Sequence, residues 1–203
     1  MRKNFCGIAA LLLAFCLIIS GAAGYYSDCR EVRENVLRLH ITANSDSERD
    51  QAVKLKVRDA LLQSGAEIFD GSVTAAEAEE KLAPELARLE EIADDVLKEN
   101  GCDYSSRAYI VKEYFDEREY DGLTMPAGEY TALRVALGTG EGKNWWCVMF
   151  PPLCLPAAVK NTGDDVYTLF GENGARVVKA ENGYKVRFKI VEIASEFIEK
   201  LRK

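Results

Sequence analysis

Polar and apolar positions change period several times along this chain, and each change marks an element. Between Val36 and Ala43, Leu37, Leu39 and Ile41 alternate with Arg38, His40 and Thr42, which predicts a strand with one apolar face. His40 is expected on the opposite face, half-buried or at the surface. Asn44-Ser45-Asp46-Ser47 leaves the strand and caps a helix over 51–63, where Val53, Val57, Ala60 and Leu61 recur at helical spacing and Ser64-Gly65 ends it. Thr74-Ala75-Ala76-Glu77 is a capping box, in which hydroxyl and carboxylate each satisfy an amide at the helix start. Leu82, Leu86, Leu89, Ala93 and Val96 line one face of the next helix as far as Asn100-Gly101, with a kink or late start expected at Pro84.

Strand character returns at 107–120. Asp121-Gly122 is a hairpin turn into a second strand over 123–137, interrupted near Pro126-Ala127-Gly128. Gly138 to Gly142 reads as a flexible linker and lacks the Gly-Lys-Ser/Thr ending of a phosphate loop. Asn161 to Asn182 is polar and glycine-rich with weak strand signals at 166–170. Helical spacing resumes at 190–201, although Val186, Phe188 and Ile190 fit a strand equally well. The order predicts an α+β fold, a small and mostly antiparallel sheet packed with two to three helices.

One stretch, Gly142 to Pro156, holds both tryptophans, two cysteines and three of the five prolines. Pro151-Pro152 is incompatible with a helix or a central strand, so an irregular loop is expected. Cys147 and Cys154 bracket the diproline closely enough to be bridged. The loop would then be a small ring displaying Trp145, Trp146 and Phe150. The plain alternative is that each ring plugs the core.

At the other end, Arg2 and Lys3 precede an uncharged apolar run over 4–27 that finishes in small residues. These are the parts of a secretory signal, and the run is also just long enough to span a bilayer uncut. Two regions follow: 1–27, a signal peptide or signal anchor, and 28–203, a single exported domain. Asp28 to Glu34 reads as a polar connector or first helical turn. Export places Cys29, Cys102, Cys147 and Cys154 where disulfides form. The pair Cys147–Cys154 is expected, contributing about 2–4 kcal/mol, and Cys29–Cys102 follows by elimination.

Without Arg2 and Lys3, the 26 basic residues fall to 24 against 33 acidic ones. No basic patch interleaved with aromatics appears, which argues against nucleic acid. A single histidine, His40, excludes a two-histidine metal site. A triad of Ser45, Asp46 and His40 would need three groups within seven residues to converge, and a Cys–His pair would need a free thiol. No catalytic residue, metal site or cofactor is therefore expected. What remains is recognition. Asn144, Trp145, Trp146, Phe150, Pro151 and Pro152 are the candidate partner-binding residues, because large rings held at low entropy cost dominate interface energies. Asn44, Ser45 and Asp46 offer a second, polar patch, with a plain helix cap as the alternative.

Residues 37–47 (Leu-Arg-Leu-His-Ile-Thr-Ala-Asn-Ser-Asp-Ser), 51–60, Pro126 to Arg134 and Gly142 to Cys154 together resemble stage II sporulation protein R of endospore-forming bacteria. The blocks lie in the same order and cover most of 36–155. The resemblance implies a signalling protein made in the forespore and exported into the space between the two membranes, secreted or anchored through residues 4–27. There it would trigger the membrane-embedded aspartic protease stage II sporulation protein GA, which cuts the pro-sequence from the sigma-E precursor. It implies no enzymatic activity of the chain's own, and membrane contact only through the N-terminal segment. The alternative is an exported cell-wall protein that binds or processes glycan, its tryptophans stacking on sugar rings.

Overall fold

A computed structural model describes residues 2–72, 74–120, 122–151 and 162–179. The chain begins with α1 (Arg2–Glu34) and enters β1 (Leu37–Thr42), then runs through α2 (Glu48–Ile68), α3 (Ala75–Leu82) and α4 (Leu86–Glu99). Next come β2 (Ser106–Phe115), β3 (Arg118–Tyr120), β4 (Leu123–Met125), β5 (Gly128–Leu137), β6 (Asn144–Phe150) and α5 (Thr162–Val178). A four-stranded sheet has the order β2-β5-β1-β6, and β3 and β4 pair as a separate hairpin. Only β1 and β5 run parallel; β2–β5 and β1–β6 are antiparallel. The α+β architecture and the mostly antiparallel sheet are as the alternation of the sequence implies.

Strand β1 is buried along its whole length, because both faces of the sheet are covered. Leu37, Leu39 and Ile41 meet Leu133, Val135 and Leu137 of β5 and the apolar stripes of α2, α3 and α4. On the other face Tyr25, Cys29 and Val32 of α1 pack with Phe115, Tyr130, Ala132 and α5. Each large aliphatic side chain so buried contributes about 1.5–3 kcal/mol. Ser47 caps α2 by accepting from the Asp50 amide at 3.1 Å. The Thr74–Glu77 capping box forms as its sequence spacing requires. Pro84 sits in a single 3-10 turn that separates α3 from α4.

Several expectations are corrected. Residues 28–34 are no connector: α1 runs unbroken through residue 27 to Glu34, and its buried stripe of Tyr25, Cys29 and Val32 explains why. Helix α2 continues past Gly65 to Ile68, since Gly65 lies against Met149 and packing overrides its weak propensity. The strand signals at 166–170 give way to α5, whose Val166 and Phe170 enter the second core; the helix breaks at Gly171, where φ is 67°. The expected loop over 142–156 is a strand from Asn144 to Phe150, because the diproline lies beyond its last residue. Cys29 and Cys102 are free thiols. They pack into the cores on opposite faces of the sheet, so no bridge can join them. The expectation for 190–201 lies outside the described residues. Among those described, no helix is long and apolar enough to cross a membrane.

Candidate partner-binding site

Becoming a strand divides the aromatic segment between two faces. Trp145 pairs with Ile41 and lies half-buried against the first core, with the Arg58 guanidinium 4.6 Å from its ring centroid. Trp146, one residue on, points to the second face. There it stacks on its cross-strand partner His40 with ring centroids 3.7 Å apart, and meets Phe115 edge-on at 4.8 Å. Phe150 is buried and edge-on to Phe69 at 5.9 Å, and Pro151 is buried as well. A register shift between Leu37 and Arg38 returns Phe150 to the first face. The expected display of all these rings on one exposed ring of chain is therefore corrected: strand geometry alternates their directions. Pro152 and Cys154 lie outside the described residues. Cys147 is not among the free thiols, which among the described residues are Cys16, Cys29 and Cys102.

His40 is buried, contrary to expectation, at 3% exposure. Its Nδ1–H donates to Glu113 Oε1 at 2.9 Å, and Arg134 sits 3.6 Å from the other oxygen of that carboxylate. Its Nε2 lies 3.0 Å from Asn144 Oδ1, which also accepts from the Thr42 hydroxyl at 3.2 Å. Thr42, His40 and Glu113 have the types of a nucleophile, a base and an orienting carboxylate. Thr42 is only 4% exposed, and Trp146 stacks on the imidazole. What the group does is tie β1 to β2 and β6.

Beside it, Arg38 is fully buried. Its guanidinium lies 4.4 Å from the Phe115 centroid, 5.0 Å from Tyr130 and 5.4 Å from Tyr120, and Nη2 donates to the Tyr120 hydroxyl at 2.8 Å. Nε and Nη1 have no hydrogen-bond partner among the described residues. Burial lowers the pKa of this guanidinium and raises that of the Tyr120 phenol.

The polar patch after β1 is consumed internally. Asp50 accepts from Ser45 Oγ at 2.6 Å, from Asn44 Nδ2 at 2.9 Å and from the Tyr104 hydroxyl at 2.8 Å. Those bonds, Ser45's first, hold its carboxyl below the usual range. Asp46 accepts from the Lys143 amide at 2.7 Å, and buried Lys54 donates to the Lys143 carbonyl at 2.7 Å. Residues 138–142 are correspondingly no flexible linker. A Cβ at Gly142 would sit 2.3 Å from the Ser45 carbonyl oxygen, and one at Gly138 would sit 2.2 Å from Asn44 Oδ1. The residues 37–47 thus act as the joint between β1, α2 and the turn before β6, buried through Ala43 and open to solvent at Asp46 and Ser47. Of the candidates, Asn144 is exposed at the strand start, Trp145 and Trp146 are half-exposed, and Asp46 is exposed beside Lys143. Glu113, Arg134, Tyr120 and Arg58 were not flagged by sequence reasoning, because each reaches this region only across the sheet or from another element.

The sequence model of the family described as Stage II sporulation protein R matches residues 33–160. Stage II sporulation protein R of Bacillus subtilis (strain 168) is 36% identical over 123 residues, covering 61% of this chain and 55% of that protein. The chain therefore spans about half the length of the curated relative it matches. No solved structure matches. The matched region takes in the β1–α2 joint, the whole sheet and the His40–Trp146 stack, and the chain belongs to the stage II sporulation protein R family.

Proposed function

We propose that this protein is an exported sporulation signal that activates a membrane-embedded aspartic protease, stage II sporulation protein GA, and so drives processing of the sigma-E precursor. Membership of the stage II sporulation protein R family carries this reading. Burial of the one histidine beneath Trp146 is in keeping with a protein that binds rather than catalyses. In this reading the apolar stretch of α1, with Leu12, Leu13 and Ile19 exposed, directs export and is either removed or kept as an anchor. The bridge Cys147–Cys154 belongs to the same reading, since an exported domain can keep it and Cys147 is not a free thiol. Activation follows if the protein binds the protease's active arrangement better than its resting one.

The test is co-expression of the full chain with the protease and the sigma-E precursor in a host that does not sporulate. Cleavage that depends on this protein is the expected result; cleavage without it, or none with it, sinks the proposal.

A further inference from the structure

Helix α1 joins two segments with opposite surroundings. From Tyr25 onward it belongs to the domain. Tyr25, Cys29, Val32 and, just past the helix end, Val36 recur at helical spacing and are each 4% exposed or less. Other elements make room for this half: a Cβ at Gly128 of β5 would sit 2.6 Å from Arg33 Cδ, and one at Gly174 of α5 would sit 3.2 Å from Val32. Arg33 Nη1 also donates to the Ala127 carbonyl at 3.4 Å. Ahead of Tyr25 the surroundings are open. Leu12, Leu13 and Ile19 are 60%, 64% and 51% exposed. Ala22, Ala23 and Gly24 are exposed as well, and a Cβ at Gly21 or Gly24 would meet nothing within 4 Å. The change from open to buried falls between Gly24 and Tyr25, ahead of the boundary after residue 27 that polarity alone marks.

We infer that the peptide bond after Ala22 or after Ala23 is hydrolysed during export, and that residues 25–34 stay with the released domain as a core helix. This rests on the reading of the protein as exported and fixes what is released. A peptidase on the outer face of the membrane adds water across the bond, leaving a carboxylate on the leader and an α-ammonium on the domain. Such leader cleavage needs small side chains at the first and third positions before the bond. Ser20 with Ala22, Gly21 with Ala23, and Ala22 with Gly24 all meet that spacing. Burial excludes the third. It would put the new ammonium on Tyr25, which is 2% exposed in the second core, and at a helix N-terminus, where positive charge is unfavourable. A cut after Ala22 or Ala23 puts the charge on an exposed residue instead. Gly21 and Gly24 weaken the helix here, which lets the bond extend into a peptidase cleft.

The test is expression of the full chain in a non-sporulating bacterial host, with N-terminal sequencing and intact mass of the product found outside the cytoplasm. A first residue of Ala23 or Gly24 is expected. Cys29 of that product should take iodoacetamide at least about a hundredfold more slowly than after unfolding, which shows residues 25–34 still packed in the second core. The double variant Ala22→Phe, Ala23→Phe places a large ring in all three candidate frames at two exposed positions, and is expected to yield at least about tenfold less cut product. Any other first residue, an uncut chain, or undiminished cleavage of the double variant overturns the assignment, as does rapid labelling of Cys29 in the cut product. If an uncut chain still drives cleavage of the sigma-E precursor in the same host, the signalling reading stands and the cut alone falls. If the product begins at Ala23 or Gly24 and precursor cleavage never depends on it, the cut stands and the signalling reading falls.

Discussion

His40 and Trp146 face each other across β1 and β6 and stack, with ring planes 18° apart and centroids 3.7 Å apart. The stack covers the imidazole while Glu113 and Asn144 hold its two nitrogens. His40→Ala removes the buried ring and leaves the half-buried Glu113 carboxylate short of a donor, so a loss of about 2–4 kcal/mol is expected. Urea denaturation measures it, and the near-ultraviolet dichroism of Trp146 should weaken in the folded variant. A loss under about 0.5 kcal/mol would mean that the stack is not holding the strands together.

Arg38 is a different case, a buried cation with rings for neighbours and no ion pair among the described residues. Removing a guanidinium from water is expensive, and an apolar side chain of similar volume often serves as well. Arg38→Met is therefore expected to stay within about 1 kcal/mol of wild type, whereas Arg38→Ala leaves a cavity and loses about 3 kcal/mol or more. Thermal and chemical denaturation of the two variants side by side decides it; equal losses would show that the charge, not the volume, matters.

How much of this was legible follows from the range of each interaction. The strand at Leu37–Thr42, the Thr74 capping box, the Pro84 interruption and the β3–β4 hairpin are local, and short-range spacing marks them. Burial of His40 and Arg38 is not local. Alternation says only that they oppose Leu39, and whether that face meets water depends on α1 and α5, at the far ends of the chain. Residues 144–150 misled because the prolines that forbid a strand begin at Pro151, just after the strand ends. Glu113 meets His40 across 73 residues, and no pattern around either position announces the pair.

Asp50 predicts a pH dependence. Hydrogen bonds from Ser45, Asn44 and Tyr104 depress its folded pKa, so the unfolded chain binds the proton more readily. Its contribution is present above the unfolded value of about 3.9 and is lost as pH falls from there through the lower folded value. Asp50→Asn should cost about 1–3 kcal/mol at neutral pH and flatten the fall in stability below about pH 4. Denaturation at pH 7, 4 and 3 gives both numbers; parallel curves for the two proteins would rule out Asp50 as a source of acid sensitivity.

Two glycines separate rigid from yielding contacts. At Gly142 the obstacle to a Cβ is the Ser45 backbone, 2.3 Å away, which cannot move without breaking the β1–α2 joint. At Gly65 it is the flexible end of Met149, 2.6 Å away, and Ala also improves the helix there. Gly142→Ala is expected to lose about 2 kcal/mol or more, and Gly65→Ala to remain within about 1 kcal/mol of wild type. Equal losses in thermal denaturation would contradict this division.

The cysteines should separate by reactivity. Burial in the second core pushes the Cys29 thiol up to about 11, so at pH 8 little thiolate exists to attack a reagent. Iodoacetamide should label Cys29 in the native protein at least about a hundredfold more slowly than after unfolding. Unfolding without reductant should release Cys29 and Cys102 together, since neither is bridged, whereas Cys147 should take label only once reductant is added. Peptide mass spectrometry of the three samples reads each position separately. Label on Cys147 without reductant would remove the proposed bridge, and failure of Cys29 and Cys102 to react on unfolding would restore the pairing that their places on opposite faces of the sheet exclude.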